Sequence, residues 1–403
     1  MADIGVVSIH DMNNVGNRLQ SYALCSALDA LGHTPTVIPN TPYPYQEDPE
    51  FAGAAPSETG DTGETGETVG AAAGHPESVA ATARRLVTSG DWWGLADKAR
   101  RALVMLLRTR ALTEFTHANL RLDSRSISRP GDGQALRDDY DVFVVGSDQV
   151  WNPAYRYGCP TDFLRFAHPA QRVAYAASFG ISELPGHYAA PYRTMLAGID
   201  RISVRENSGT GLVHELTGRE VPVVLDPTML VPLAQWHQLA DRASDPTGGP
   251  FLGTYLLWTG DRATHQAIRS LARSRGLRTR ELMAPGAHRP EFYGAENFLR
   301  TIRDAEFVVT DSFHSTLFAL LFRTPVRVVS RGSGQDDRIE SLLAHFGIPP
   351  SEAFGNAGEV PVKSLVEDPE RALSTLREQS LRWLSDAVAA AATGDGAGGP
   401  EQR

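Results

Sequence analysis

Two cysteines in 403 residues are too few for a disulfide framework, so Cys25 and Cys159 read as reduced thiols of a cytosolic protein, placed in the cytoplasm. Cys25 stands in an apolar helical run with Ala23, Leu24, Ala27 and Leu28, which is the setting of an inert packing residue. Positive charge is also short: 38 Lys and Arg against 48 Asp and Glu leave a formal charge of -10, which argues against a nucleic-acid binder. A local basic pocket for an anionic substrate stays open, because local field and net charge are separate quantities. No run approaches the ~20 apolar residues of a membrane span. The start, Met1-Ala2-Asp3, lacks the basic and apolar regions of a signal peptide. Catalytic signatures are missing as well. There is no HExxH, no CxxC, no GxSxG and no GxGxxG. The one Asp-x-Asp, Asp139-Tyr140-Asp141, enters a strand rather than leaving one and reads as a turn, so no metal is expected.

What is present is an alternation of short β-branched runs and helical patterns. At roughly 100–200 residues per domain, the length suggests two domains. Strands are expected at Ile4–Ile9, Thr36–Ile38, Val142–Val145, Val173–Ser178, Ile202–Val204 and Val221–Leu225, with helices at Leu19–Leu31, His187–Ala197 and Asn207–Leu216. A second series follows: strands Phe251–Trp258, Thr279–Met283, Phe307–Val309 and Val326–Ser330, and helices Arg262–Arg275, Glu296–Asp304 and His314–Phe322. The pattern predicts an α/β protein of two doubly wound Rossmann-like domains facing a cleft, a GT-B-like arrangement. The Pro/Gly-rich Asp245–Pro250 separates an N-terminal domain, 1–244, from a C-terminal one, 251–368. Helix Pro369–Ala392 and a Gly-rich tail, 369–403, complete the chain. From about Gln46 to Ser89 large apolar residues almost vanish, which reads as a disordered insertion. The helix after it, Leu95–Asn119, carries Lys98, Arg100, Arg101, Arg108 and Arg110 opposite an apolar side. It is either a domain helix with a solvated basic face or a peripheral contact with a membrane or a lipid-linked substrate.

Ligands of such sheets bind in the loops that follow strands. The first loop offers Asn13, Asn14, Asn17 and Gln20 at a helix start, hydrogen-bonding groups suited to a polyol, although Asn is also a helix cap. In the loop after Val145, Asp148, Gln149, Trp151 and Asn152 set polar groups beside an indole face that could hold a sugar ring. Arg205 emerges at a strand end next to a helix start, where a cation suits a phosphate or carboxylate; a surface ion pair with Glu206 is the alternative. The sharpest segment is Thr310-Asp311-Ser312-Phe313-His314, with Ser315 following. There a helix N-terminus makes an anion site, and Asp311 and Ser312 are near enough to fix the tautomer of a proton-shuttling His314.

Taken together, Asn14-x-Gly16-x-x-Leu19-Gln20-x-Tyr22-Ala23-Leu24, Gly146-Ser147-Asp148-Gln149-x-Trp151-Asn152, Tyr175-Ala-Ala-Ser-Phe-Gly180, Ser203-Val204-Arg205-Glu206, Leu225-Asp226-Pro227-Thr228 and Thr310-Asp311-Ser312-Phe313-His314 resemble the polysaccharide pyruvyl transferase family. Ser315 and Val15 depart from its usual Gly and aromatic. The resemblance implies a GT-B-like transferase with no metal or cofactor, and phosphoenolpyruvate as co-substrate. With that donor, the strand-end loops are expected to supply catalysis by His314 and Asp311, donor binding by Arg205, Ser312, His314 and Ser315, and binding of a sugar or glycan acceptor, free or carried by a nucleotide or lipid, by Asn13, Asn14, Gln20, Asp148, Gln149 and Trp151. A nucleotide-sugar glycosyltransferase and a non-catalytic glycan-binding protein are the alternatives.

Overall fold

The structure, a computed structural model, describes residues 1–52, 92–243, 249–257, 262–282, 294–332, 336–359 and 364–394. Five parallel strands form the first sheet in the order β2-β1-β3-β4-β5: β1 Asp3–Val7, β2 Thr34–Val37, β3 Val142–Val145, β4 Arg172–Ala177 and β5 Arg201–Val204. Four more form the second, β7-β6-β8-β9: β6 Phe251–Tyr255, β7 Arg278–Glu281, β8 Phe307–Thr310 and β9 Val326–Val328. Strands such as Val142-Phe-Val-Val are buried at every residue, as expected of parallel sheets covered on both faces. Helices of nine or more residues cover them: α1 Val15–Ala30, α2 Trp92–Asn119, α3 Gly186–Ala197, α4 Asn207–Thr217, α5 Leu233–Asp241, α6 Arg262–Ser274, α7 Ala295–Asp304, α8 Phe313–Leu321, α9 Asp337–His345 and α10 Pro369–Thr393. Among the described residues no helix is long and apolar enough to cross a membrane.

In each sheet the chain starts in the middle, adds one neighbour on one side and then crosses to the other. The topological switch points therefore fall between β1 and β3 and between β6 and β8, and crevices at their carboxyl ends are where ligands bind. Local chemistry starts the helices that open there. Asn14 caps α1 by accepting from Asn17 N, and Ser312 caps α8 by accepting from Ser315 N.

The two halves share one apolar core. It runs from Ile4, Val6 and Leu24 through Trp236 to Phe298, Leu317 and Leu384. The Trp236 ring meets Tyr22 of α1 edge-on at 5.7 Å and Phe318 of α8 at 4.9 Å, so α5 ties one half to the other. The C-terminal helix does likewise: Ser380 Oγ accepts from Leu225 N at 3.0 Å and Trp383 packs on Tyr175 of β4.

Three expectations change. Residues 221–225 are not a strand: only Val223 bridges Val204, because Pro222 has no N–H and the Leu225 amide is taken by Ser380. The segment from Gln46 is ordered through 52, since Phe51 is buried and packs edge-on against Tyr45; the rest of the proposed insertion, 53–89, lies outside the described residues. Helices α5 and α9 were absent from the sequence reading.

Candidate active site

Segments that follow β1, β2 and β3 of the first sheet and β6, β8 and β9 of the second line one cavity of about 530 Å³. His10, Asp11 and Asn14 follow β1, and Asp148 and Gln149 follow β3. Facing them, Leu257 follows β6, and Asp311, Ser312 and His314 follow β8. Arg331, beyond β9, and Arg338, on the first turn of α9, add two cations. The size suits a small substrate pair, since ligand pockets run roughly 300–1,000 Å³.

The halves touch at the cavity floor. A Cβ on Gly16 would overlap the His314 ring, so this position must be glycine for α1 to approach α8. Behind the wall, the Arg205 guanidinium lies 4.4 Å from the Phe313 ring centroid, a cation–π contact between the sheets.

Arg205 is 2% exposed and surrounded by three carboxylates. It donates to Asp226 Oδ2 at 2.9 Å and lies 3.5 Å from Asp148 and 3.6 Å from Glu206. Burial alone would lower its pKa; Asp226, Asp148 and Glu206 outweigh burial and raise it. Its Nε and Nη2 are nevertheless buried without a hydrogen bond. Asp226 also accepts from Ser147 Oγ at 2.9 Å and from Thr228 Oγ1 at 2.6 Å. Burial pushes its pKa up, but Arg205 and His314 bring it below the usual value. Asp148 accepts from Asn17 Nδ2, which fixes its carboxylate at the wall. His314 is buried, and its Nε2 has no hydrogen-bond partner. Burial lowers its pKa, with Arg205 and Arg338 adding to the effect against Asp226 and Asp148.

Residues 14–333 match the family of polysaccharide pyruvyl transferases. The chain belongs to that family. It is thereby a member of a transferase family, with the motifs from Asn14 to His314 inside the matched span. No curated protein matches the chain. Similar solved structures include the MnaA–UDP complex of S. aureus, 11% identical over 97% of this chain and 94% of that one, TM-score 0.43. The UDP-GlcNAc 2-epimerase of Neisseria meningitidis bound to UDP-GlcNAc is 9% identical over 97% and 94%, TM-score 0.43. A kitacinnamycin glycotransferase is 13% identical over 98% and 96%, TM-score 0.36. At these identities and scores the likeness bears on neither substrate nor mechanism.

Of the residues expected at the site of this pyruvyl transferase family member, the structure brings Asn14, Asp148, Gln149, Asp311, Ser312 and His314 to the cavity. Others lie elsewhere. Asn13 is turned to α2, where its Oδ1 accepts from Thr109 Oγ1 at 2.8 Å. Gln20 is one turn behind Gly16 on the same helix face and fully buried under the floor. Trp151 offers no face to a sugar: it is wholly buried, stacked on Phe163 at 5.5 Å, with Nε1 donating to Asp162 O. Tyr155, Tyr255 and Phe313 are the aromatics that line the cavity, and of these Tyr155 is 46% exposed. Arg205 and Ser315 are both buried outside the lining. Asp311 does not bond the His314 ring; its Oδ1 accepts from Leu257 N at 2.7 Å and its Oδ2 lies 3.6 Å from Arg331 Nε, so it pins the β6 loop. Ser312 likewise spends its hydroxyl on the cap of α8.

Arg331, Arg338, His10 and Tyr155 were missed. Arg331 was within reach of the strand-end rule, applied to β9. His10 was too, since it opens the first loop. Arg338 comes from a helix that no strong apolar pattern announces, and Tyr155 from a single turn, Pro153–Arg156.

Proposed function

We propose that the chain transfers a pyruvyl group from phosphoenolpyruvate to two hydroxyls of a sugar or glycan, forming a cyclic ketal and releasing phosphate. The observation that carries this reading is the pairing, in one cavity, of an anion-seeking wall with a hydroxyl-seeking one. The first joins the α8 N-terminus, His314, Arg331 and Arg338; the second joins Asn14, Asp148, Gln149 and Tyr155. Family membership supports it.

In this reading Arg331, Arg338 and the α8 amides hold the donor's phosphate and carboxylate. Arg205 supplies further positive charge from behind the wall, where it touches the Phe313 ring at the start of α8. A dianionic donor favours the imidazolium form, so binding loads a proton on His314. His314 gives that proton to C3 of the enol, and C2 becomes electrophilic. A hydroxyl adds to C2 as Asp148 takes its proton, the C2–O bond to phosphate breaks, and the second hydroxyl closes the ketal. Of the two hydroxyl protons, one restores His314 and one leaves with phosphate. In this reading the donor is held mainly by residues that follow β8 and β9 and the acceptor by residues that follow β1 and β3.

The test is acceptor-dependent release of phosphate from phosphoenolpyruvate, with gain of a pyruvyl group on the sugar read by mass spectrometry. General acid–base help is typically ~10²–10⁴-fold, so His314→Ala should lose about that in turnover. Near-normal turnover in folded His314→Ala protein contradicts the role. Affinity for a nucleotide sugar and none for phosphoenolpyruvate contradicts the donor.

A further inference from the structure

The cavity holds a second histidine that the transfer described above leaves unused. His10 follows β1 and lines the wall on the acceptor side. Its Nδ1 lies 3.3 Å from Arg18 Nη1. Arginine carries only donors and keeps its proton, so Nδ1 must accept, and in a neutral ring the hydrogen is then on Nε2. Arg18 cannot easily swing away, because it is fully buried and its Nη2 donates to Ile9 O. Among the described residues Nε2 of His10 meets no hydrogen-bond partner and is not sealed in the protein.

Consecutive residues of α1 thus grip two cavity groups. Asn17 holds the Asp148 carboxylate and Arg18 holds the His10 ring. One presents an acceptor, the other a donor, on the same wall. A ketal needs two hydroxyls of one sugar, and such a pair is read by one acceptor and one donor. We infer that His10 is a fixed, uncharged donor whose Nε2–H positions an acceptor hydroxyl oxygen beside the one that Asp148 deprotonates. The substrate in this statement rests on the pyruvyl-transfer reading; the state of the ring does not.

The surroundings agree with an uncharged ring. Burial, with Arg18 and His117 of α2 close by, pushes the imidazole down to about 4. Asp11, the neighbouring carboxylate, counts among the charges acting on Arg18. A group of this kind cannot be the general base, since its lone pair is occupied. It can orient.

The experiment reads the ring nitrogens by NMR in protein carrying 15N-labelled histidine, with the His10 signals assigned by their loss in His10→Gln. Expected is the neutral Nε2–H form throughout pH 5.5–8, unchanged by phosphoenolpyruvate. An Nδ1–H form, or a charged ring at neutral pH, overturns the inference even if the enzyme is active. The kinetic arm supplies the role. A neutral hydrogen bond is worth roughly three- to tenfold, so His10→Ala should raise the acceptor KM by about that, with kcat little changed. His10→Gln, whose amide can donate from a similar reach, should restore it. A lost pH limb in His10→Gln, or a fall in kcat alone, would make His10 a titrating catalyst and overturn the claim. Absence of turnover in the unmutated protein, with the expected nitrogen pattern, would fell the transfer reading and leave the ring's state standing.

Discussion

Two arginines are buried at the edge of the same cavity, and they are satisfied in opposite ways. Arg156 lines the cavity, yet Nε and Nη2 are spent on Asp162 at 2.8 and 2.6 Å, and Nη2 on Asn40 Oδ1 at 2.7 Å. Arg205 sits behind the wall with three carboxylates around it, and its Nε and Nη2 make no hydrogen bond. The carboxylates follow suit. Asp162, wholly buried, is raised by burial, which Arg156 only partly counters. Asp226 is lowered, because Arg205 and His314 together overcome burial. Position on a cavity wall therefore does not decide which cation serves a ligand. The difference lies in whether the donors are already hydrogen-bonded, and in the proposed reading Arg156 is structural and Arg205 is poised to lend its charge to an anion held across the wall.

The comparison can be broken most sharply by removing each guanidinium. Arg205→Ala leaves Asp226, Asp148 and Glu206 without their cation, and breaking a buried pair typically costs about 3–5 kcal/mol. Arg156→Ala should cost less, because burial already raises Asp162 and the carboxyl, once its partner is gone, can offset part of the loss by taking up a proton. Urea denaturation of both variants measures the difference, and equal losses would end the distinction. A smaller effect is expected at the floor. Gly16→Ala forces a methyl into the His314 ring, and overpacking costs about 1–3 kcal/mol. Turnover should fall with it as the ring is displaced; an unchanged rate would mean that the two helices are less tightly apposed than this contact implies.

The smallest effect is on pH. His314 and His10 both have depressed folded-state values, so between the ordinary histidine value and those values the unfolded chain binds more protons. Their contribution to stability is complete above about pH 6.5, the unperturbed value, and is lost as pH falls toward the folded values. Denaturation midpoints at pH 7 and pH 5 should show a less stable protein at pH 5. Greater stability at pH 5 would reverse the sign.

How much of this was legible beforehand follows from the kind of signal each residue carries. The strand runs Val142–Val145 and Phe307–Val309 stood out because a buried parallel strand is apolar at every position, and the site residues directly after them, Asp148 and His314, were found with them. Trp151 and Tyr155 lie four positions apart in one loop, and sequence offers no measure of which ring turns inward; the packing of Phe163 and Phe179 decides it. The Arg205 environment was hidden for a different reason. Asp148 and Asp226 are remote from it in the chain, and only the sheet brings them to it. Pro222 was in plain view, and its missing N–H should have weakened the strand expected at 221–225.

The most direct test of the poised-arginine account is calorimetric titration with phosphoenolpyruvate of the unmutated protein, Arg156→Ala and Arg205→Ala, each first shown to be folded. The account predicts saturable binding in the first two and its loss in Arg205→Ala. Binding retained by Arg205→Ala, or lost in Arg156→Ala alone, would contradict it.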